Sequence, residues 1–364
     1  MAQMRAEAQV DVRILQSIPT PVADALVSKG CRTDADLFSR PEALKEVLTQ
    51  HHVPGPEKRA QHMLAAVRRE NGRDAWLNAS SAAALLQTAA KQPPPLALPC
   101  AGLNRLLGNA LRGGGALLEV SGLPGSGKTQ LCLQLCAAAQ IPCTNEIAEA
   151  VFVDTEGSFV PQRYLQVVEA LLADRRPHLD PAAAAAQLEA VMRGLHVCRA
   201  YDGAELYSTV KQLSSFIKGR RGRIRALVVD SIAFSFRHEL MDNMAQRARV
   251  LADLAATLRQ CGADHNLVVV VTNHMTTRFG KDESWLAPAL GETWAHQPST
   301  QLRLEKAETW HQPGLSRATL TKSVEKAAGS TCVFSISRAG LRDVTDAAMK
   351  PLAHGPCLNL GGRS

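Results

Sequence analysis

A glycine-rich turn between an apolar run and a helical repeat constrains this chain more than any other feature. Residues 119–135 read EVSGLPGSGKTQLCLQL. The run at 116–120 feeds the turn as a short strand, and leucines recur at helical spacing after it. Gly122, Gly127, Lys128 and Thr129 fill the fixed positions of G-x-x-x-x-G-K-[ST], with Leu123, Pro124, Gly125 and Ser126 between them. Such a turn lets backbone N–H groups curl round a polyphosphate, and the following helix aims its positive end at that charge. Lys128 is expected to reach the β- and γ-phosphates, and the Thr129 hydroxyl to sit on Mg²⁺. A chance glycine turn need not have a strand before it and a helix after it; this one has both. The stretch predicts a bound nucleotide.

With 364 residues, two domains are the natural expectation. Residues 10–70 read as a small helical domain, with helical spacing over 21–28, 43–49 and 57–70. The HHVPGP turn at 51–56, followed by Lys58 and Arg59, has two readings: a helix-hairpin-helix that grips DNA phosphates, or a packing domain with a solvated basic helix start. Residues 71–99 shift to Ala, Ser, Gln and Pro and read as a linker, stiffened near its end by Pro93, Pro94 and Pro95. Residues 100–345 alternate strands with helices. Strands are expected at 117–120, 150–154, 195–199, 226–230, 267–272, 301–304, 317–322 and 331–335. Helices are expected over 128–140, 162–173, 181–193, 204–218 and 245–261. That alternation predicts an α/β core: a mostly parallel sheet with helices on both faces. The tail, 346–364, is rich in Gly and Pro and reads as disordered.

No apolar run approaches the ~20 residues of a membrane helix, so no membrane partner is expected. Glu7 and Asp11 stand where a targeting segment would be apolar or free of acid, so no signal or transit peptide is expected. Nine cysteines, none in a C-x-x-C pair, point to reduced thiols in the cytosol or nucleus. Cys132 and Cys136, one helical turn apart, read as buried thiols rather than as ligands. The net charge of +7 suits a protein that meets phosphate backbones, though charge alone names no partner. Residues 218–225, KGRRGRIR, read equally as a nuclear import signal or a solvated loop.

Three strand ends carry the remaining chemistry. The run ALVVD at 226–230 ends in Asp230, placed to hold the Mg²⁺ water shell beside the phosphate loop or merely to cap the turn after its strand. The run VFVDTEGSF at 151–159 puts Glu156 beyond a strand end, where it would orient or deprotonate the water attacking a γ-phosphate, or is a solvated loop carboxylate. A third run ends in Thr272, Asn273 and His274; these would sense the γ-phosphate, or His274 is an ordinary surface histidine.

The phosphate loop, DTEGSF, VVDS and TNHMTT, in that order and at these separations, resemble the core of a RecA-fold recombinase. The N-terminal helices and linker resemble the eukaryotic and archaeal branch, and the chain as a whole is similar to the eukaryotic RecA-like recombinase (Rad-fifty-one) family. SIAFSFRH at 231–238 and PALGETWAH at 288–296 are most similar to its C-type paralogue branch. The resemblance covers residues 10–345 and implies a RecA-like P-loop ATPase core behind a small helical domain.

It further implies ATP with Mg²⁺ as ligands, Lys128, Glu156, Asp230 and His274 as the catalytic set, and Arg163 stacked on adenine. DNA would run along two loops, 236–245 and 275–293, carrying Arg237, Arg278 and Lys281. Only 4% of the chain is aromatic, yet Phe234, Phe236, Phe279, Trp285 and Trp294 fall in or beside these loops, which suits stacking on single-stranded bases, or Phe234 and Phe236 simply plug the edge of the core. The implied activity is a DNA-dependent ATPase of homologous recombination repair of double-strand breaks. It would act in the nucleus, and also in the cytoplasm, inside a hetero-oligomer of related subunits that assists the strand-exchange filament on single-stranded or branched DNA. A self-polymerising strand-exchange enzyme and a structural adaptor locked by ATP are the alternatives.

The sequence departs from the recombinase pattern at His274, where the family has Gln. It departs at Lys322-Ser323-Val324, where the family has an acidic or Ser-Pro cap, and at WLNA, 76–79, where it has a Phe-x-x-Ala tether. These changes bear on self-polymerisation and turnover rather than on nucleotide binding.

Overall fold

Alternate residues of the central strands feed two separate cores, which is what burial on both faces demands. In β2, Glu149–Asp154, Phe152 packs into one core while Val151 and Val153 pack into the other. The computed structural model describes residues 10–15, 17–70, 80–143, 147–220, 222–234, 244–279, 284–306 and 314–344. They fall into two compact units, residues 1–92 and 93–364.

The first unit holds α1 (Thr20–Ser28), α2 (Asp34–Ser39), α3 (Pro41–Gln50) and α4 (Pro56–Glu70) around a core that includes Leu26, Leu37, Leu44 and Val67. The turn between α3 and α4 carries His52 and Gly55, both with positive φ. A further helix, α5 (Ala82–Lys91), lies within the stretch read as a linker, with the Ser81 hydroxyl accepting from Ala84 N at 3.2 Å. An alanine- and leucine-rich run behind a capping serine is a sufficient local reason for it.

The second unit begins with α6 (Ala101–Leu107) and is built on β1 (Leu117–Gly122), β2, β3 (Leu195–Arg199), β4 (Ile224–Asp230) and β5 (Val268–Phe279). It continues through β6 (Ser284–Pro288), β7 (Thr300–Lys306), β8 (Leu315–Lys322), β9 (Thr331–Ser337) and β10 (Gly340–Asp343). The order across the sheet is β10-β9-β8-β7-β1-β5-β4-β2-β3, with β6 pairing to β5 off this path. Pairs from β7 through β1, β5, β4 and β2 to β3 are parallel, and β7 to β10 form an antiparallel meander. The connections supply α7 (Lys128–Gln140), α8 (Pro161–Arg175), α9 (Pro181–Gly194), α10 (Gly203–Gly219) and α11 (Met244–His265). Helices α7 and α8 pack on one face of the sheet, and α10 and α11 on the other. The mostly parallel α/β core expected from the sequence is the fold observed.

The segment 275–293 differs from the expected loop. Strand β5 runs on to Phe279, and β6 folds back on it antiparallel, Met275 opposite Pro288 and Arg278 opposite Trp285. The β-branched pair Thr276 and Thr277 favours that extension. A short helix, α12 (Gly291–Ala295), closes the segment. The tail 346–364, Arg237 and most of the segment 236–245 lie outside the described residues, as does Lys281. No helix among the described residues is long and apolar enough to cross a membrane.

Candidate functional site

The carboxyl ends of β1, β2, β4 and β5 are neighbours, so the loops leaving them share one space. Strand β1 ends at Gly122, and α7 starts at Lys128. Gly127 has φ 102°, a left-handed backbone that strains any residue but glycine, and a Cβ there would also displace the end of the Ile336 side chain, 2.5 Å away. A Cβ on Gly122 would lie 2.4 Å from Ser126 Oγ and 2.6 Å from the Leu304 carbonyl oxygen. The loop is therefore wound tightly on itself.

Lys128 is buried and donates its Nζ to the carbonyl oxygens of Gly122, at 3.0 Å, and Leu123, at 3.1 Å. Burial pulls its ammonium below the ordinary lysine value, against the pull of the Asp230 and Glu156 charges. The next residue, Thr129, donates its hydroxyl to Asp230 Oδ2 at 2.7 Å, and Thr272 donates to Asp230 Oδ1. Burial raises the Asp230 carboxyl, although both hydroxyls oppose the rise.

Glu156 is aimed by its neighbour two positions back. Asp154 is buried, and its carboxylate accepts the backbone N–H groups of Glu156 (3.3 Å), Ser158 (3.1 Å) and Phe159 (3.2 Å). Thr155 donates its hydroxyl to the Ser231 carbonyl at 2.7 Å and accepts the Ser231 N–H at 2.8 Å, lashing this loop to the end of β4. His274 stands level with Gly122 in the β1–β5 register and hydrogen-bonds Glu156 through Nε2. Burial alone would raise the Glu156 carboxyl. Hydrogen bonds from His274 and Ser231, with the His274 and Lys128 charges, outweigh it and hold the group below the ordinary glutamate value.

Lys128, Thr129, Glu156, Asp230 and His274 thus form one connected cluster. Arg163 is tied to it through Gln130, the neighbour of Thr129, whose Oε1 accepts Arg163 Nε at 2.6 Å. The rest of its guanidinium donates to the carbonyls of Ser337 (2.7 Å) and Arg338 (2.7 Å) at the β9–β10 turn and to Gln166 (3.2 Å). Arg278 lies on β5, in the ribbon it forms with β6. Asp154 was missed as a site residue, although it lies inside a motif that marked the site, and Thr272, expected to sense the γ-phosphate, hydrogen-bonds Asp230. Gln130 gave no local signal, because its part depends on where α8 packs.

The cluster fits a magnesium nucleotide. Ser126 Oγ is buried inside the loop with no hydrogen-bond partner among the described residues, an acceptor or donor held ready for a ligand. Thr129 and Asp230 supply two hard oxygens with no side-chain cage, which suits an ion that keeps several of its waters.

The family model described as Rad51 matches residues 96–344. The DNA repair protein RAD51 homolog 3 of Cricetulus griseus is 36% identical over 278 residues, 73% of this chain and 72% of that protein. The DNA repair protein XRCC3 of Mus musculus is 32% identical over 273 residues, 69% of this chain and 76% of that protein. Among solved structures, the RadB recombinase superposes with TM-score 0.51 at 26% identity, covering 69% of this chain and 100% of its own.

Proposed function

The chain belongs to the Rad51 family, and from that we propose that it is an ATP-binding paralogue of homologous recombination repair that turns over ATP in response to DNA. The observation that carries this reading is the connected cluster of Lys128, Thr129, Asp230, Glu156 and His274 at adjoining strand ends. Bound with ATP, Mg²⁺ would offset phosphate charge, and Thr129 and Asp230 are the oxygens suited to hold it. Lys128 would exchange the Gly122 and Leu123 carbonyls for phosphate oxygens, gaining charged acceptors for neutral ones. Glu156, kept ionised by its neighbours, would orient the attacking water and accept its proton. Arg163, whose guanidinium is held by Gln130 and the Ser337 carbonyl, would stack on the adenine ring.

Single-stranded DNA would run along the two segments 236–245 and 275–293, with Arg237, Arg278 and Lys281 on the phosphates. Supporting a hetero-oligomer, the sheet ends on the parallel edge strand β3. Among the described residues no strand pairs with its outer edge, and Val197 on it is 39% exposed, with Phe216 40% and Tyr201 73%, an apolar margin that would suit a strand from a related subunit. The nucleus is the proposed place of action. Within the basic run 218–225, Arg223 pairs with the buried Glu149 at 3.1 Å, so not all of the run is held out for an import receptor.

ATP turnover of wild type and Glu156→Gln, with and without single-stranded DNA, tests the reading. The expected result is DNA-stimulated turnover in wild type that falls ~100-fold in the variant while ATP binding is kept. Binding and partner assembly that survive Glu156→Gln, with no turnover in wild type, would instead favour an adaptor locked by ATP. Filaments formed by the pure chain would favour a self-polymerising recombinase.

A further inference from the structure

Both ends of the segment 274–293 are tied to a single oxygen atom. Asn273, just before it, donates Nδ2 to Glu119 Oε1 at 2.6 Å, and Trp294, just after it, donates its indole Nε1 to the same oxygen at 2.9 Å. Gln301 of β7 donates to the other oxygen, Oε2, at 2.6 Å. Glu119 is 1% exposed, on β1, three residues before the phosphate loop opens at Gly122.

The fold alone gives no reason for this carboxylate. Its chain neighbours Leu118 and Val120 are buried apolar residues, and a third would suit a central parallel strand better than a charge. Burial raises the Glu119 carboxyl, against the three side-chain donors and the Lys322 charge. The donors come from three elements, β5, α12 and β7, that meet nowhere else through side-chain hydrogen bonds to one group among those described. Asn273 leaves its own Oδ1 buried and unpartnered, so its amide is oriented by Glu119. Trp294 packs into the core shared with Leu251, Leu254 and Leu290, which anchors the far end. One residue on from Asn273, the His274 carbonyl accepts the Ala289 N–H at 2.8 Å and closes the ribbon above the clamp.

We propose that Glu119 is a positioning residue: by holding Asn273 and Trp294 on one oxygen it fixes the base of the segment 274–293, and so sets how that segment meets single-stranded DNA when nucleotide fills the adjoining loop. The proposal rests on the reading of 275–293 as a DNA-binding segment. Strand β1 links the two sites directly, because Glu119 and Gly122 lie on it, opposite Val271 and His274 of β5.

Three variants of the full chain test it. Glu119→Met keeps the length and removes the acceptors, Trp294→Phe keeps the ring and removes one N–H, and Glu119→Gln keeps one carbonyl oxygen. Hydrogen exchange across 274–293 should rise in the first two. Their single-stranded DNA affinity with a non-hydrolysable ATP analogue should fall about tenfold, while analogue affinity stays within about twofold of wild type. Glu119→Gln should recover most of both losses, with Gln301 turning its amide to meet the new N–H. If Glu119→Met does not fold, Trp294→Phe decides alone. Exchange that rises equally over the whole sheet, or not at all over 274–293, overturns the clamp. A wild-type chain that binds no single-stranded DNA overturns the DNA reading instead, and exchange over 274–293 still decides whether the clamp exists.

Discussion

The Lys128 ammonium donates to the Gly122 carbonyl oxygen across 3.0 Å, so the cation of the phosphate loop closes the loop that carries it. Phosphate must compete with that carbonyl and with Leu123, yet it offers charge where they offer only dipoles. Lys128→Ala should therefore lower ATP affinity at least ~10-fold. Without nucleotide, the melting temperature should move little, since the buried ammonium's desolvation offsets the two bonds it makes. Calorimetric titration and thermal melts check both halves, and unchanged ATP affinity would remove the site.

Asp343, at the end of β10, caps a helix over two hundred residues earlier. Its carboxylate accepts the N–H groups of Ala101 at 2.7 Å and Gly102 at 3.0 Å, in the first turn of α6. Burial alone would raise this carboxyl. The Gly102 and Ala101 N–H groups, Cys100 and the Arg105 charge outweigh it and hold the group below its ordinary value. A depressed carboxyl stabilises the fold at pH values above the unfolded group's pKa, about 4, and that contribution is lost as pH falls through the lower folded value. Asp343→Ala should cost about 1 kcal/mol at pH 7, the usual worth of a cap. The gap to wild type should narrow as pH drops below about 4. Urea unfolding at pH 7 and pH 3 measures it; a gap that does not narrow would mean the charge does not matter.

How much the sequence made legible depends on how local the cause was. The phosphate loop, the strand ends at Asp154 and Asp230 and the helix Lys128–Gln140 are set by runs of adjacent residues, and they stand where the pattern put them. Strand β6 and helix α12 were not seen, because β6 exists only by pairing with an extension of β5. Glu119 stood in plain view as an acid inside an apolar run. Its partners Asn273, Trp294 and Gln301 lie over 150 positions away, and nothing in local spacing joins them.

The backbone register of the β5–β6 ribbon sets Arg278 opposite Trp285. Replacing Arg278 and Lys281 with Ala should weaken single-stranded DNA binding alike for all base sequences. It should also flatten the salt dependence by ~1 to 2 units of slope, one for each phosphate left without its cation. Binding isotherms across a salt series decide it. An unchanged slope would move the DNA path elsewhere, with Lys58 and Arg59 beyond the α3–α4 turn as the next place to look.

His274 and Glu156 make the most direct handle on chemistry. The family pattern has glutamine at position 274, which also donates a hydrogen bond but never carries charge. The Glu156 carboxyl is raised by burial and then brought below its ordinary value chiefly through His274, by hydrogen bond and by charge. A base must be ionised to take a proton from water, so a depressed value extends turnover toward acid. In His274→Gln the charge is gone and the hydrogen bond is weaker, so the Glu156 value rises and the acidic limb of the kcat profile moves to higher pH. The alkaline limb, which Glu156 does not set, should stay where it is. Turnover measured from about pH 4 to pH 8, spanning the ordinary glutamate value, for both chains tests this. An acidic limb that coincides in the two would mean that His274 does not govern the base, and that the water is activated from another side of the site.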